Sequence, residues 1–345
     1  MKRTALPLFA VSAFSSFPSP FYRELAPVLG SIELTTAVLF AAHGIAAILA
    51  MTTLTLAPVT KRIERASTGA VLSVLVLMDA AAGLLFVVAS GPGEFAFLFA
   101  ARLLTGAVLG CVTVVATSKL AQVAGGTGVA TAGILGGVGL GALAAASLAA
   151  VGASRPWVFA AGVIVLGALA AVSWFTREPN AVRIPARAEN IHATPLVIAC
   201  AGLAFLANGV LGLFTSVLPG IVAGSATDGA LAAGLTVAAT LLAAGAARLL
   251  VPANRQGTAR VLGVGALATG TLLFAVGLST SSIPLALVGG VLLGAAAGLG
   301  YEAAISTATS KSLPAARVAV LARVQRGGQL GLVIPVLLYP LAISH

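Results

Sequence analysis

Apolar runs of about twenty residues follow one another along nearly the whole chain, each long enough to cross a hydrocarbon core of about 30 Å as a helix. With 345 residues, 59% of them hydrophobic and 8% charged, the chain has too few charges to cover a soluble globule. The short alternating segments of a membrane β-barrel do not occur. The sequence therefore reads as an all-α polytopic membrane protein. Eleven helices are expected, at 5–29, 33–58, 68–90, 94–119, 127–151, 156–176, 194–219, 229–251, 258–278, 282–310 and 316–342. The opening MKRTALPLFAVSAFSSF has the basic front and apolar middle of a secretion signal. Its apolar character continues through Pro18 and Pro20 to Leu29, so it is read as the first span. The longest connection, with two prolines, three arginines and two glutamates, divides the chain into units 1–176 and 194–345, with a linker at 177–193.

The net charge of +10 would suggest nucleic acid in a soluble protein, but its distribution here follows the membrane. With the N-terminus in the cytoplasm, every Lys and Arg falls on the cytoplasmic side except Arg23 and Arg155, which lie outside, and Arg102, which lies within the membrane. The same orientation places Trp157 and Trp174 at opposite ends of the sixth helix, about 25 Å apart, where interfacial aromatics belong. Cys111 and Cys200 lie in apolar runs and read as small core residues. The three scattered histidines form no metal-ligand spacing, and no paired catalytic groups or phosphate-binding Gly-Lys motif occur. Neither a metal, a cofactor nor an enzymatic activity is expected, and a non-transporting membrane scaffold is the contrasting class.

An internal repeat runs across the two units. ATSK closes the fourth helix at 116–119 and the tenth at 308–311, preceded by Arg102-x3-Gly106-x3-Gly110 and Gly290-x3-Gly294-x3-Gly298. Helical periodicity collects polar and small residues into stripes. Ser12, Ser15, Ser16 and Ser19 share a stripe on the first helix, and Arg102, Thr105, Gly106, Gly110, Thr113 and Thr117 on the fourth. Asn208, Gly212 and Thr215 mark the seventh, and Gly294, Gly298, Glu302 and Ser306 the tenth. Small residues of this kind let helices pack closely. Arg102 and Glu302 need more, because a charge inside a membrane faces a partner or a wet cavity. One striped helix in every three predicts a central space.

This pattern resembles the major facilitator superfamily over nearly the whole chain. Leu98-x3-Arg102-x2-Thr105-Gly106-x3-Gly110 is similar to that family's fourth-helix motif, with Thr105 where Gln is usual. Gly133-x3-Gly137-Val138-x2-Gly141 is similar to its antiporter signature on helix five, with Val138 in place of Pro. PVTKRIERAS, at 58–67, occupies the place of its gating loop and keeps basic residues but lacks the Gly and Asp. The resemblance implies two six-helix bundles around a cavity lined by helices 1, 4, 7 and 10, with twelve helices where eleven are read here. Cavity-lining roles then fall to Ser12, Ser16, Thr105, Gly106, Gly110, Thr113, Asn208 and Gly298, and a conformational role to Gly133, Gly137 and Gly141.

Depth arithmetic brings His43, Asp79 and Arg102 to within about one helical turn of the same level. Asp79 is expected as the counter-charge of Arg102, directly or through His43, in a group that couples transport to protons. Glu302 is expected either as a proton or substrate site facing the cavity or as the ion-pair partner of Arg248 or Arg326. The functional expectation is a monomeric secondary transporter of the bacterial inner membrane, N-terminus cytoplasmic, that exports a small organic molecule by proton antiport. A proton- or cation-coupled importer is the alternative.

Overall fold

A computed structural model describes residues 2–24, 28–29, 31–54, 66–120, 123, 126–175, 195–216, 229–250, 256–280, 282–312 and 317–343. These form eleven α-helices: α1 (Lys2–Ser15), α2 (Ile32–Leu54), α3 (Thr68–Val88), α4 (Glu94–Leu120), α5 (Gly126–Ala150), α6 (Arg155–Phe175), α7 (Pro195–Ser216), α8 (Gly229–Leu250), α9 (Gln256–Ser279), α10 (Ile283–Ser310) and α11 (Arg317–Ile343). Short 3₁₀ turns at Ser19–Glu24 and Gly91–Gly93 complete the described secondary structure. Eight of the helices are long and apolar enough to cross a membrane. The expected linker at 177–193 and most of the loop at 58–67 lie outside the described residues.

The first helix differs from expectation. It ends at Ser15 and does not run to Leu29, because Pro18 has no amide hydrogen to give the Phe14 carbonyl and its ring crowds the turn before it. The chain tightens instead, with Phe17 N donating to Phe14 O at 3.1 Å and Ser19 N to Ser16 O at 3.0 Å. A 3₁₀ turn then follows through Pro20. Elsewhere the start signals act as their chemistry requires. Ser67 Oγ accepts from Ala70 N at the head of α3, and proline sits in the first turn of α6, α7 and α10. Gly152 turns the chain between α5 and α6 at φ +86°, a left-handed conformation.

Within the first six helices, α2 packs on α4, α3 on α6 and α4, and α1 on α5 and α4. Among the last five, α7 packs on α11, α9 and α8 on α10, and α10 on α7. The sequence repeat reappears as a repeat of contacts. A Cβ on Gly106 or Gly110 of α4 would collide with the backbone of α2 at His43 or Ala47. A Cβ on Gly294 or Gly298 of α10 would collide with α8 at Thr240 or Ala244 in the same way. Likewise Gly137 and Gly141 of α5 lie against the α1 backbone, and Gly327 and Gly331 of α11 against that of α7. Two seams join the halves: α5 against α8 along their length, and α2 against α11. Small residues close both, with Gly234 of α8 against Ala142 and Ala146 of α5, and Gly44 of α2 against Val333 of α11.

The outer faces are apolar. Leu77 and Leu84 of α3, Ile164 and Val165 of α6, and Val261 and Val264 of α9 are all exposed, as lipid-facing residues are. Trp157 and Trp174 are also exposed, at opposite ends of α6. Beneath, Phe14, Phe86 and Phe159 join α1, α3 and α6; the last two rings stack at 4.6 Å.

Candidate functional site: a central polar cavity

A cavity of about 110 Å³ lies between the two halves. From the first half it is walled by Ser15, Ser16 and Ser19 at the break after α1, by Phe40, His43 and Met51 of α2, and by Arg102, Leu109 and Thr113 of α4. Thr131, Leu135 and Val138 of α5 complete that side. The second half contributes Asn208 and Thr215 of α7, Leu241 of α8, Tyr301 of α10, and Gln325, Gln329 and Leu332 of α11. Apart from Arg102, these described side chains are uncharged or imidazole, and most of the polar ones both donate and accept hydrogen bonds.

Arg102 is 2% exposed and donates from Nη1 to the Ser15 carbonyl at 2.6 Å. The break at Pro18 makes that bond available. In an uninterrupted helix Ser15 O would accept from the amide of residue 19, but Ser19 N turns to Ser16 O. The guanidinium therefore caps the C-terminal end of α1, where the helix dipole is negative. Ser16 Oγ reaches across to Val138 O of α5 at 2.7 Å, beside the close contact that Gly137 and Gly141 permit. His43 Nδ1 lies 3.2 Å from Thr105 Oγ1, whose hydroxyl donates to Arg102 O at 3.2 Å. The imidazole is thereby tied to α4 through Thr105.

The expected sites separate into three groups. Ser16, His43, Arg102, Thr113 and Asn208 do line the cavity. Ser12, Gly106, Gly110 and Gly298 do not: each lies where two helices touch, Ser12 against Gly137, so they set helix spacing and not the cavity surface. Thr105 stands behind the wall, bracing His43. Of the helix-five glycines, Gly137 and Gly141 are contact residues, whereas Gly133 has open space where a Cβ would go. The expected wall of helices 1, 4, 7 and 10 is also corrected. Helices α2, α5 and α11 supply much of it, and α10 only Tyr301.

The expected charge cluster is not assembled. Asp79 is completely buried, off the cavity, and neither carboxylate oxygen meets a hydrogen-bond or ion-pair partner among the described residues. It is therefore not the counter-charge of Arg102, whose guanidinium donates to the α1 carbonyl. Glu302 instead pairs with Arg248 of α8, Oε2 to Nε at 2.5 Å, with side chains 13% and 9% exposed. A second ion pair, Arg155 to Glu94 at 2.5 Å, ties the start of α6 to the start of α4. Arg155 also donates to Ala89 O at the end of α3. Gln325, Gln329 and Tyr301 went unrecognised in the sequence. Gln325 and Gln329 stand one turn apart on α11, the spacing that marks a shared polar face, whereas Tyr301 carries no such signal.

Two half-bundles of shared packing plan, closing on a polar cavity at their seam, constitute the architecture of the major facilitator superfamily, and the chain has that fold. Among solved structures it is similar to a bacterial homologue of the human lysosomal transporter Spinster, inward-facing and unoccupied. That match has a TM-score of 0.68 and 14% identity, covering 99% of this chain and 81% of the other. The nucleoside transporter NupG matches with a TM-score of 0.69 and 12% identity over 98% of this chain and 89% of NupG. A D-xylose-proton symporter matches with 0.69 and 13% over 98% and 88%. No protein-family model and no curated protein matches the sequence.

Proposed function

We propose that the chain is a secondary active transporter of the bacterial inner membrane, working as a monomer with its N-terminus in the cytoplasm. The units 1–176 and 194–345, joined by the linker at 177–193, rock about the central cavity to expose it alternately to each side. The observation that carries this reading is the cavity itself: both halves line it, and it reaches the break after α1. Its wall of hydroxyl, amide and imidazole groups with a single Arg suits a small polar organic molecule bearing at most one charge. Export by proton antiport is supported by the resemblance of Gly133, Gly137 and Gly141 to an antiporter signature, and Glu302 is the proton-accepting group in that scheme. Asp79 stands outside it, away from the cavity and, among the described residues, without a charged partner.

A second reading, proton-coupled import, is favoured by one observation. The α5 glycines do for α1 what Gly327 and Gly331 of α11 do for α7, so their pattern serves packing in both halves. One of the similar structures is a D-xylose-proton symporter. Inverted membrane vesicles separate the two. With an imposed pH gradient, inside acid, antiport drives labelled substrate inward from a panel of sugars, nucleosides, amino acids and antibiotics, whereas symport drives it outward. No substrate-dependent proton movement with any panel member overturns both.

A further inference from the structure

We propose that Glu302, through Arg248, is a proton-operated clasp on one end of the α5–α8 seam. This rests on the proton-coupled reading above and adds how proton binding would reach the interface between the halves. Arg248 stands in the last turn of α8 and pairs with Glu302 of α10, both in the second half. Its other face meets the first half: a Cβ on Gly128, in the first turn of α5, would lie 2.9 Å from Arg248 Nη2. The end of the Arg248 side chain thus rests directly against the first turn of α5.

The electrostatics of that position are opposed. The end of α8 favours a cation, but the first-turn amides of α5 form the positive end of another helix. Glu302 resolves the conflict by neutralising Arg248. When the carboxylate takes a proton, an uncompensated cation is left in low dielectric against the positive end of α5, and the two halves separate at that end. Other charged groups on packed elements do not replace Glu302 or compete for it. Helix α7 carries no charged residue, α5 none, and α9 only Arg260. On α11, Arg317, Arg323 and Arg326 are themselves cationic, and Arg326 Nε donates along its own helix to Ala322 O at 3.3 Å. Among the described residues only Arg248 forms an ion pair with the Glu302 carboxylate. The clasp also borders the cavity, since Tyr301 beside Glu302 and Thr131 one turn beyond Gly128 both line it.

The test uses the full chain in nanodiscs, with Cys111 and Cys200 replaced by Ala and spin labels on Val123→Cys and Leu250→Cys, both exposed positions beside this end of the seam. Acidification is expected to shift the inter-label distance to longer values. Glu302→Gln is expected to hold the long distance at every pH. Glu302→Gln with Arg248→Met is expected to hold the short one. A wild-type distance that ignores pH overturns the clasp, as does a double variant behaving like Glu302→Gln. The vesicle assay keeps the two readings apart. Proton-driven transport with a pH-independent distance defeats the clasp alone, whereas a pH-dependent distance without proton-coupled transport defeats the coupled reading alone.

Discussion

A guanidinium buried in a membrane needs an acceptor, and for Arg102 the acceptor is a peptide carbonyl freed by a proline three residues further on. Charge-assisted hydrogen bonds contribute about 1.5–3 kcal/mol. Arg102→Met is therefore expected to lower the thermal unfolding midpoint in detergent and to cut transport severely, because it loosens α1 and removes a cavity donor together. Unchanged stability in that variant would show that the α1 end does not need its cap. Asp79 calls for the opposite outcome. A buried polar group without a partner costs about 1–3 kcal/mol, so Asp79→Ala should melt no lower than the wild type and transport normally. Loss of pH-driven transport in Asp79→Ala would return that carboxylate to the coupling mechanism. Arg102 was legible as a residue that must face something, because its own helix is apolar around it. Its partner was not, since a backbone carbonyl has no letter in the sequence, and depth arithmetic drew attention to Asp79 only because carboxylates do.

Elements were legible where chemistry punctuates them. Helix starts at Ser67, Pro195 and Ser282 fall within a residue or two of expectation, and the long apolar runs gave the number of helices. The first helix was misjudged because hydropathy continues unbroken through Pro18 and Pro20 while hydrogen bonding does not. Glycine identity alone also cannot say which glycines touch a neighbour, and α5 offers a direct comparison. A Cβ on Gly141 would enter the Ala13 carbonyl, whereas Gly133 has nothing within reach. Gly141→Ala is expected to destabilise by about 1–3 kcal/mol through overpacking. Gly133→Ala should be neutral, or stabilise by about 0.5–1 kcal/mol through helix propensity. Thermal melts of the two variants side by side decide it; equal effects would mean that the α1–α5 approach is looser than described. The walls contributed by α2 and α5 were invisible for a related reason. Their cavity faces mix single polar residues with Leu, Val and Phe, so no polar stripe marks them.

At the scale of the molecule, transport requires the seams between halves to open while contacts within each half persist. The seam is closed by small side chains, with Gly234 against Ala146 at one end of α5–α8. Cysteines at Leu135 and Gly245 across the same seam, where the two Cβ atoms would stand 3.8 Å apart, are expected to cross-link and abolish transport, with reduction restoring it; full transport by the cross-linked protein would mean that this seam does not move. The duplicated plan was legible in the sequence through ATSK and its preceding glycines, because packing glycines must recur wherever the same helices meet. The buried pair Arg248–Glu302 was legible only as one of several options, since Arg326 of α11 was an equal candidate for the partner. The broken α1 carries a consequence for how the protein is made. Its 14 residues rise about 21 Å, short of a bilayer's hydrocarbon core, and the carbonyl at its end finds its partner 87 residues later in the chain. During synthesis the Arg102 cap on α1 therefore cannot form until α4 has been made.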